Sequence, residues 1–124
     1  MAVERAQHLA KESGVTFTAK TQDLNFFLIP LMEYQSIVVC DVHPPLTLFK
    51  SLARGLNKGG MLLVDAFTLD QMNAPKGPKP SFCECYRPNE LLRYIPDLNL
   101  LYYSELPDTS GLCKVRLLAR KSSK

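Results

Sequence analysis

The stretch Ser36-Ile-Val-Val-Cys-Asp-Val-His-Pro-Pro45 joins a short apolar run to a polar turn. Continuous apolar runs of this length are typical of strands covered on both faces of a parallel sheet. A second run, Met61-Leu-Leu-Val-Asp-Ala-Phe67, follows a segment from Leu46 to Leu56 whose apolar residues share one helical face. The two prolines open that predicted helix, and Asn57-Lys-Gly-Gly60 closes it. Strand, helix and strand predict a right-handed parallel crossover, so the fold class is α/β.

The residues before this unit predict a helix followed by a strand. Apolar residues between Ala2 and Lys11 recur at helical spacing, and Gly14 is a typical helix stop. Val15-Thr-Phe-Thr-Ala19 alternates with period two and is rich in β-branched residues, which favours a strand.

The residues after the unit predict a loop, a short helix and a hairpin. The stretch from Asn73 to Pro80 is rich in proline and glycine, so neither helix nor sheet can persist there. Pro88-Asn-Glu-Leu-Leu-Arg-Tyr-Ile95 is typical of a short helix with proline in its first turn. Two strand-like runs follow, from Leu98 to Glu105 and from Leu112 to Ala119. A turn sequence separates them, so they form an antiparallel hairpin.

Composition narrows the classes of protein. A chain of 124 residues, 46% of them hydrophobic, suffices for one compact domain over residues 1–124. No stretch reaches the roughly 18 to 20 apolar residues of a membrane span and no signal-peptide core is present, so we expect a cytoplasmic protein with no membrane partner. The charge of +3 is scattered apart from a basic stretch near Arg116 to Lys124, so no nucleic-acid partner is predicted. The four cysteines lie in or beside apolar runs and are expected to be reduced thiols.

The order of the elements, closed by a hairpin, resembles class I S-adenosylmethionine-dependent methyltransferases from their second helix onward. Ordinary dinucleotide-binding domains end in parallel strands, so the hairpin is a good discriminator. Several stretches also look like the small tellurite-resistance-type branch of this family. The resemblance covers nearly the whole chain and is carried by Ala6 to Val15, Gln22-Asp-Leu24, Tyr34 to Val39, His43-Pro44, Leu56 to Val64, Pro88 to Leu92 and Val115 to Lys121.

The sequence departs from the family at the cofactor motif. No G-x-G-x-G occurs in it, nor does the acidic residue that holds the ribose hydroxyls at the end of the family's second strand. The resemblance therefore implies an N-terminally truncated domain that lacks the first strand, the glycine-rich loop and the second strand. We expect a Rossmann-like methyltransferase sheet that is incomplete and mostly parallel, with a C-terminal antiparallel hairpin.

The resemblance also assigns cofactor-binding residues. Asp23 would accept a hydrogen bond from the adenine amino group, and Leu24 would supply a backbone nitrogen and an apolar wall for S-adenosylmethionine. The alternative for Asp23 is that it caps a turn beside Asn25.

Asp41 and His43 follow the first buried strand, where these enzymes place groups that face the transferred methyl and the acceptor atom. A histidine that titrates near neutrality would serve as the base for a protonated acceptor. The alternative is that His43, which precedes two prolines, satisfies loop carbonyls. Cys83 and Cys85 lack a second ligand pair, so no metal site is predicted.

Two functions from different classes follow from these residues. The first is a methyltransferase for a small-molecule acceptor, such as a thiol or an oxyanion of a soft element, that is not competent alone because the glycine-rich loop is missing. The second is a non-catalytic binding or assembly module derived from a methyltransferase.

A homodimer is also expected. Without its first strands, the sheet would expose an open edge beside apolar surface. The candidate contact runs from Phe26 to Met32, and its alternative is core packing beneath the sheet.

Overall fold

The computed structural model describes residues 2–24 and 27–123. The regular elements follow the order α1 (Ala2–Ser13), β1 (Tyr34–Cys40), α2 (Leu46–Gly55), β2 (Leu56–Phe67), β3 (Asn99–Ser104) and β4 (Lys114–Arg120). Short 3-10 helices at Leu69–Asn73, Phe82–Glu84 and Leu91–Tyr94 lie between β2 and β3. Within this described part, neither α1 nor α2 is long and apolar enough to cross a membrane.

The strands form a 4-stranded sheet in the order β1-β2-β4-β3. β1 and β2 pair in parallel across α2, as the two apolar runs predict. β4 lies between β2 and β3 and is antiparallel to both, which confirms the predicted hairpin and its insertion into the sheet. The α/β class is therefore confirmed. We expected a mostly parallel sheet, whereas the described sheet contains a single parallel pairing beside two antiparallel ones.

The core lies on one face of this sheet, beneath α2 and the 3-10 helix Leu91–Tyr94. Alternate residues of β2 and β4 point to it, because side chains along a strand alternate between the two faces. Its fully buried side chains are Phe49, Leu56, Leu62, Val64, Ala66, Leu91, Leu117 and Ala119. Each large aliphatic or aromatic side chain in such a position contributes roughly 1.5 to 3 kcal/mol relative to exposure.

The opposite face of the sheet carries an exposed row of apolar side chains. The register pairs Val38 with Leu63, Leu63 with Leu118, and Leu118 with Tyr102, so the four residues lie side by side across all four strands. Val38, Leu63 and Tyr102 are 60%, 40% and 56% exposed. We call these four residues the apolar row and this side of the sheet the open face.

The strand predicted at Val15 to Ala19 is wrong. Residues 15–19 are irregular, with the side chains of Val15 and Phe17 exposed. The Val15 N–H donates to the Ala10 carbonyl at 3.0 Å, and Gly14 at φ 71° ends α1, as predicted. The period-two pattern reports a local preference, but a strand also needs a neighbouring strand to bond with. Among the described residues, no ladder includes this segment.

The short helix predicted from Pro88 to Ile95 is present only as the 3-10 helix Leu91–Tyr94, and its predicted first turn is wrong. Asn89 has a φ of 62°, in the left-handed region that a right-handed helix excludes, and its N–H donates to Glu105 Oε2 at 2.9 Å. A turn therefore occupies residues 88–90, and only the 3-10 helix Leu91–Tyr94 follows.

The predicted stop at residues 57–60 lies inside β2 as a bulge. β1 residue Tyr34 pairs with Leu56 while Ser36 pairs with Met61, so the residues between them on β2 loop out of register. A Cβ on Gly60 would lie 2.8 Å from the Asn57 carbonyl oxygen, and no side chain therefore fits there.

Candidate active site

His43 lies in the turn between β1 and α2 and is enclosed by side chains from far along the chain. Its Nε2 is 2.7 Å from Glu90 Oε2. Its ring stacks on that of Tyr86, with centroids 4.2 Å apart and 15° between the planes, and Tyr94 meets it edge-on at 6.0 Å. The carboxyl ends of parallel strands are where α/β folds bind ligands, so these contacts fix His43 at the position expected of a functional group.

Glu90 is held in its ionised form. Burial alone raises the pKa of its carboxyl, but hydrogen bonds from the Arg87 N–H, the Tyr94 hydroxyl and His43 outweigh burial, and the net pKa is lowered. The Arg87 N–H donates to Oε1 at 2.8 Å, and the Tyr94 hydroxyl donates to Oε2. Because an ionised carboxylate only accepts hydrogen bonds, His43 must carry its proton on Nε2.

The second ring nitrogen of His43 also faces an acceptor. Nδ1 lies 3.2 Å from the Pro44 carbonyl oxygen. When Nε2 donates to Glu90, Nδ1 is the nitrogen that carries the lone pair of a neutral imidazole. A proton taken up at Nδ1 would meet this carbonyl, and Glu90 would stabilise the resulting positive charge. The two alternatives from the sequence exclude each other, because a base needs a lone pair on Nδ1 whereas a group that satisfies the Pro44 carbonyl needs a proton there.

Tyr86 connects the turn after β1 to the turn after β2. It is buried, and its hydroxyl donates to the Val42 carbonyl at 3.0 Å. Its backbone N–H donates to the Phe67 carbonyl at 2.9 Å. Burial first, then Glu90 and Tyr94, raises the pKa of Tyr86 far above its ordinary value. Tyr86 therefore stays neutral and serves as a rigid platform beneath His43.

Asp41 has different partners from His43. It ends β1 in the left-handed region at φ 56°, and its N–H donates to the Asp65 carbonyl at 2.8 Å. Its carboxylate accepts from Lys114 Nζ at 2.8 Å, so its side chain is bound to β4. The structure thus places Asp41 and His43 two residues apart on one turn but binds each side chain to a different element.

Lys114 is the centre of this second cluster. Its Nζ lies 2.6 Å from Asp65 Oδ1 and also contacts Asp41. Arg116 pairs with two carboxylates, its Nε lying 3.2 Å from Asp65 Oδ2 and its Nη2 3.0 Å from Asp108 Oδ2. Burial lowers the pKa of Lys114, but both carboxylates outweigh it and the net pKa is raised. Burial likewise raises the pKa of Asp65, and Lys114 and Arg116 bring it below its usual value.

Leu24 lies at a groove that reaches the end of β1. The groove has a volume of about 410 Å³, which is within the range of small-molecule sites. Its lining is almost wholly apolar and comprises Leu24, Phe27, Ile29, Ile37, Val38, Val39, Cys40, Val42, Pro44, Leu48 and Leu52. Leu24 thus shares this groove with Val42 and Pro44, the two neighbours of His43, whereas His43 itself is not among the lining residues. Asp23 is exposed beside Leu24, and its predicted turn partner Asn25 lies outside the described residues.

The sequence reasoning missed Glu90, Tyr86 and Tyr94. Glu90 is 47 residues from His43, and no local pattern joins them. The available signal was that the stretch from Pro88 to Leu92 carries part of the family resemblance, and Glu90 is its acidic residue.

Comparison with solved structures gives proteins of one architecture. TehB from Haemophilus influenzae matches 94% of this chain over 45% of its own length, at 22% identity and a TM-score of 0.68. An S-adenosylmethionine-dependent methyltransferase from Methanosarcina mazei matches 99% of this chain over 78% of its own, at 14% identity and a TM-score of 0.66. The chain has the methyltransferase fold. The resemblance and the Rossmann-like class predicted from the sequence are confirmed at this level.

The methyltransferase fold does not by itself define a reaction. The cyclase SpnF matches 98% of this chain at 14% identity and a TM-score of 0.69. The chain also spans only 45% of the length of TehB. No protein-family model and no curated protein matches the sequence. The activity must therefore be argued from the site.

Proposed function

We propose that this chain is a methyltransferase-like protein that uses S-adenosylmethionine and a small-molecule acceptor, with His43 as its proton-accepting group. The observation that carries the proposal is the His43–Glu90 pair at 2.7 Å in the turn whose residues Val42 and Pro44 line the apolar groove. S-adenosylmethionine, when bound, supplies an electrophilic methyl group. Leu24 would hold its adenine in the groove, and Asp23 would accept a hydrogen bond from the adenine amino group.

The residues of the turn define a route for the acceptor's proton. Nε2 of His43 is committed to Glu90, so the proton would be taken at Nδ1. Tyr86 fixes the ring plane and Glu90 fixes its rotation, so Nδ1 is held facing the Pro44 carbonyl oxygen at 3.2 Å, and the acceptor's proton would have to reach Nδ1 beside this oxygen. Asp41, held by Lys114, would act only through its charge.

The residues fit one half of the cofactor better than the other. An apolar groove with a carboxylate beside it suits adenine, while the backbone cradle that a glycine-rich loop provides is absent from the sequence. We therefore expect the chain alone to be incompetent for methyl transfer and to bind S-adenosylmethionine no better than roughly millimolar, about 4 kcal/mol.

Titration followed by nuclear magnetic resonance tests this proposal. Methylthioadenosine and S-adenosylmethionine should bind with similar weak affinity and shift the amides of Leu24 and Val42, while methionine should leave them unchanged. Leu24→Asp should weaken both adenine ligands, and Leu31→Asp, at an exposed position outside the groove, is the control. Shifts confined to other surfaces would contradict adenine binding in the groove. Micromolar binding of S-adenosylmethionine would contradict the expectation that the chain binds only the adenine half of the cofactor.

The second candidate is a non-catalytic binding or assembly module. Its supporting observation is that Asp41 pairs with Lys114 and His43 is hydrogen-bonded to Glu90, contacts of an ordinary structural kind. If turnover is found with the missing half supplied, this candidate fails. If His43→Ala changes stability but no adenine ligand binds at any concentration, it replaces the first.

A further inference from the structure

The free edge of β1 is a position at which another strand can add. In the described residues β1 is the first strand of the sheet and is bonded only to β2. Among the described residues its other edge pairs with no strand, and Leu24, Phe27 and Ile29 line a groove together with Ile37 to Cys40 of β1. Such edges pair with further strands unless charge, proline or a covering element protects them. Tyr34-Gln-Ser-Ile-Val-Val-Cys40 contains neither a charged residue nor a proline.

The apolar row adds a surface to this edge. It begins at Val38 on β1 and crosses the sheet to Tyr102 on β3, a width of about 14 Å at the usual strand spacing. Val38, Leu63 and Tyr102 are exposed, and α2 and the 3-10 helix Leu91–Tyr94 pack on the other face. An uncovered row that meets an open edge is a continuous site for a strand and the element attached to it.

The same chain carries a segment suited to that site. Residues 15–19 have the alternation and β-branched content of a strand, yet they pair with no strand in the described structure. Val15 and Phe17 are exposed, and so is Leu9 on the preceding helix α1. A strand-like segment and an open edge are thus both left unpaired in one chain.

We infer that two copies of this chain associate by exchanging their N-terminal segments. Residues 15–19 of one copy would pair with the free edge of β1 of the other, and α1 would be carried onto the open face over Val38 and Leu63. The exchange is mutual, so a two-fold axis relates the two copies. Each copy then provides residues 15–19 to its partner and receives the same segment on its own β1 edge. This exchange would supply the contact surface of the homodimer that the sequence predicts.

The size of the exchanged unit suits a stable dimer. Residues 2–19, together with the edge and row that receive the partner's segment, approach the roughly 20 to 30 residues that a standard interface uses on each side. The segment from Phe26 to Met32, the contact expected from the sequence, lies outside the exchanged unit and stays a prediction. Phe26 lies outside the described residues, and Ile29 packs against the core beside Gly55.

Sedimentation equilibrium over about a hundredfold range of concentration tests the inference, because self-association follows mass action. The wild type should move from 14.0 kDa towards twice that mass. Val38→Lys places a charge in the row, and Thr16→Pro removes a backbone donor from the exchanged strand without altering its extended form. Each should raise the dissociation constant at least tenfold, and Leu106→Lys, at an exposed loop position, should not.

The measurements are made without cofactor, because Val38 also lines the groove proposed for adenine. A monomer at every concentration overturns the inference and leaves the open face to a different partner. N–H groups of successive strand residues point to opposite edges, so Phe17→Pro is tested beside Thr16→Pro. A dimer that Val38→Lys weakens but neither proline substitution weakens would overturn the exchange, since the row alone would then form the contact. Thermal unfolding of each variant, recorded at the lowest concentration, shows that the monomer remains folded.

Discussion

Replacing Glu90 by glutamine should destabilise the protein by about 2 kcal/mol at pH 7, through loss of charge rather than shape. The side chains of His43 and Glu90 are each only 17% exposed, and the carboxylate accepts from His43, Tyr94 and the Arg87 N–H. Hydrogen bonds to a charged group contribute about 1.5 to 3 kcal/mol, against about 0.5 to 1.5 for neutral pairs. Partial exposure reduces the summed difference to about 2 kcal/mol, or a fall in Tm of about 8 °C for a chain of this length.

The pH dependence identifies the cause. The pKa of Glu90 is lowered in the folded state, so the stability it contributes is present above its unfolded pKa and is lost as the pH falls through its folded pKa. Calorimetry of wild type and Glu90→Gln should therefore show a difference at pH 7 that closes in acid. Glu12→Gln is a matched control, because the His8–Glu12 pair at 3.0 Å is 74% and 61% exposed and should contribute less than about 0.5 kcal/mol. Equal effects of the two substitutions, or a difference that does not change with pH, would refute the reasoning.

Three further predictions concern the site and the core. With the glycine-rich half of the domain supplied, His43→Ala should lower kcat about a hundredfold in steady-state kinetics, and Asp23→Ala should raise the cofactor Kd in calorimetry. Two small effects of equal size would mean that the site is misplaced. Lys114→Met should remove the cation that keeps the pKa of Asp65 low. Urea unfolding should then show a smaller loss of stability from pH 7 to pH 3 than in the wild type, and an unchanged loss would exclude this pair as its cause. Phe49→Ala should cost about 3 to 5 kcal/mol in urea unfolding, because Phe49 is wholly buried under Tyr86 and Tyr94, and a cost under about 1 kcal/mol would place the core elsewhere.

The elements that the sequence predicted correctly are those whose pattern has one interpretation. β1 and the second half of β2 are continuous apolar runs, and α2 has one apolar face that fits only a helix packed on a sheet. The failures depend on information that a local pattern does not contain. Residues 15–19 have a strand's composition but no neighbouring strand, and Asn89 adopts a left-handed backbone that breaks the helix its neighbours favour.

The site was predictable only in part, for the same reason. The end of a buried strand in an α/β fold indicates where functional groups lie, and that argument found Asp41 and His43. Their partners come from elsewhere in the chain, since Lys114 is 73 residues from Asp41 and Glu90 is 47 from His43. The roles proposed for Asp23, Leu24, Asp41 and His43 stay predictions.

The place of β4 in the sheet has a consequence for how the protein is made. β4 is synthesised after β3, yet it lies between β2 and β3 and supplies Val115, Leu117 and Ala119 to the core. In a nascent chain that has reached β3, β2 and β3 cannot take their final positions, because β4, which lies between them in the sheet, has not yet been synthesised. The ribosome must release residues 114–120 before the sheet can close, so β2 and β3 wait with apolar faces exposed. Stalling synthesis just after β3 should therefore leave a nascent chain that binds chaperones, whereas stalling well beyond residue 120 should yield one that resists protease.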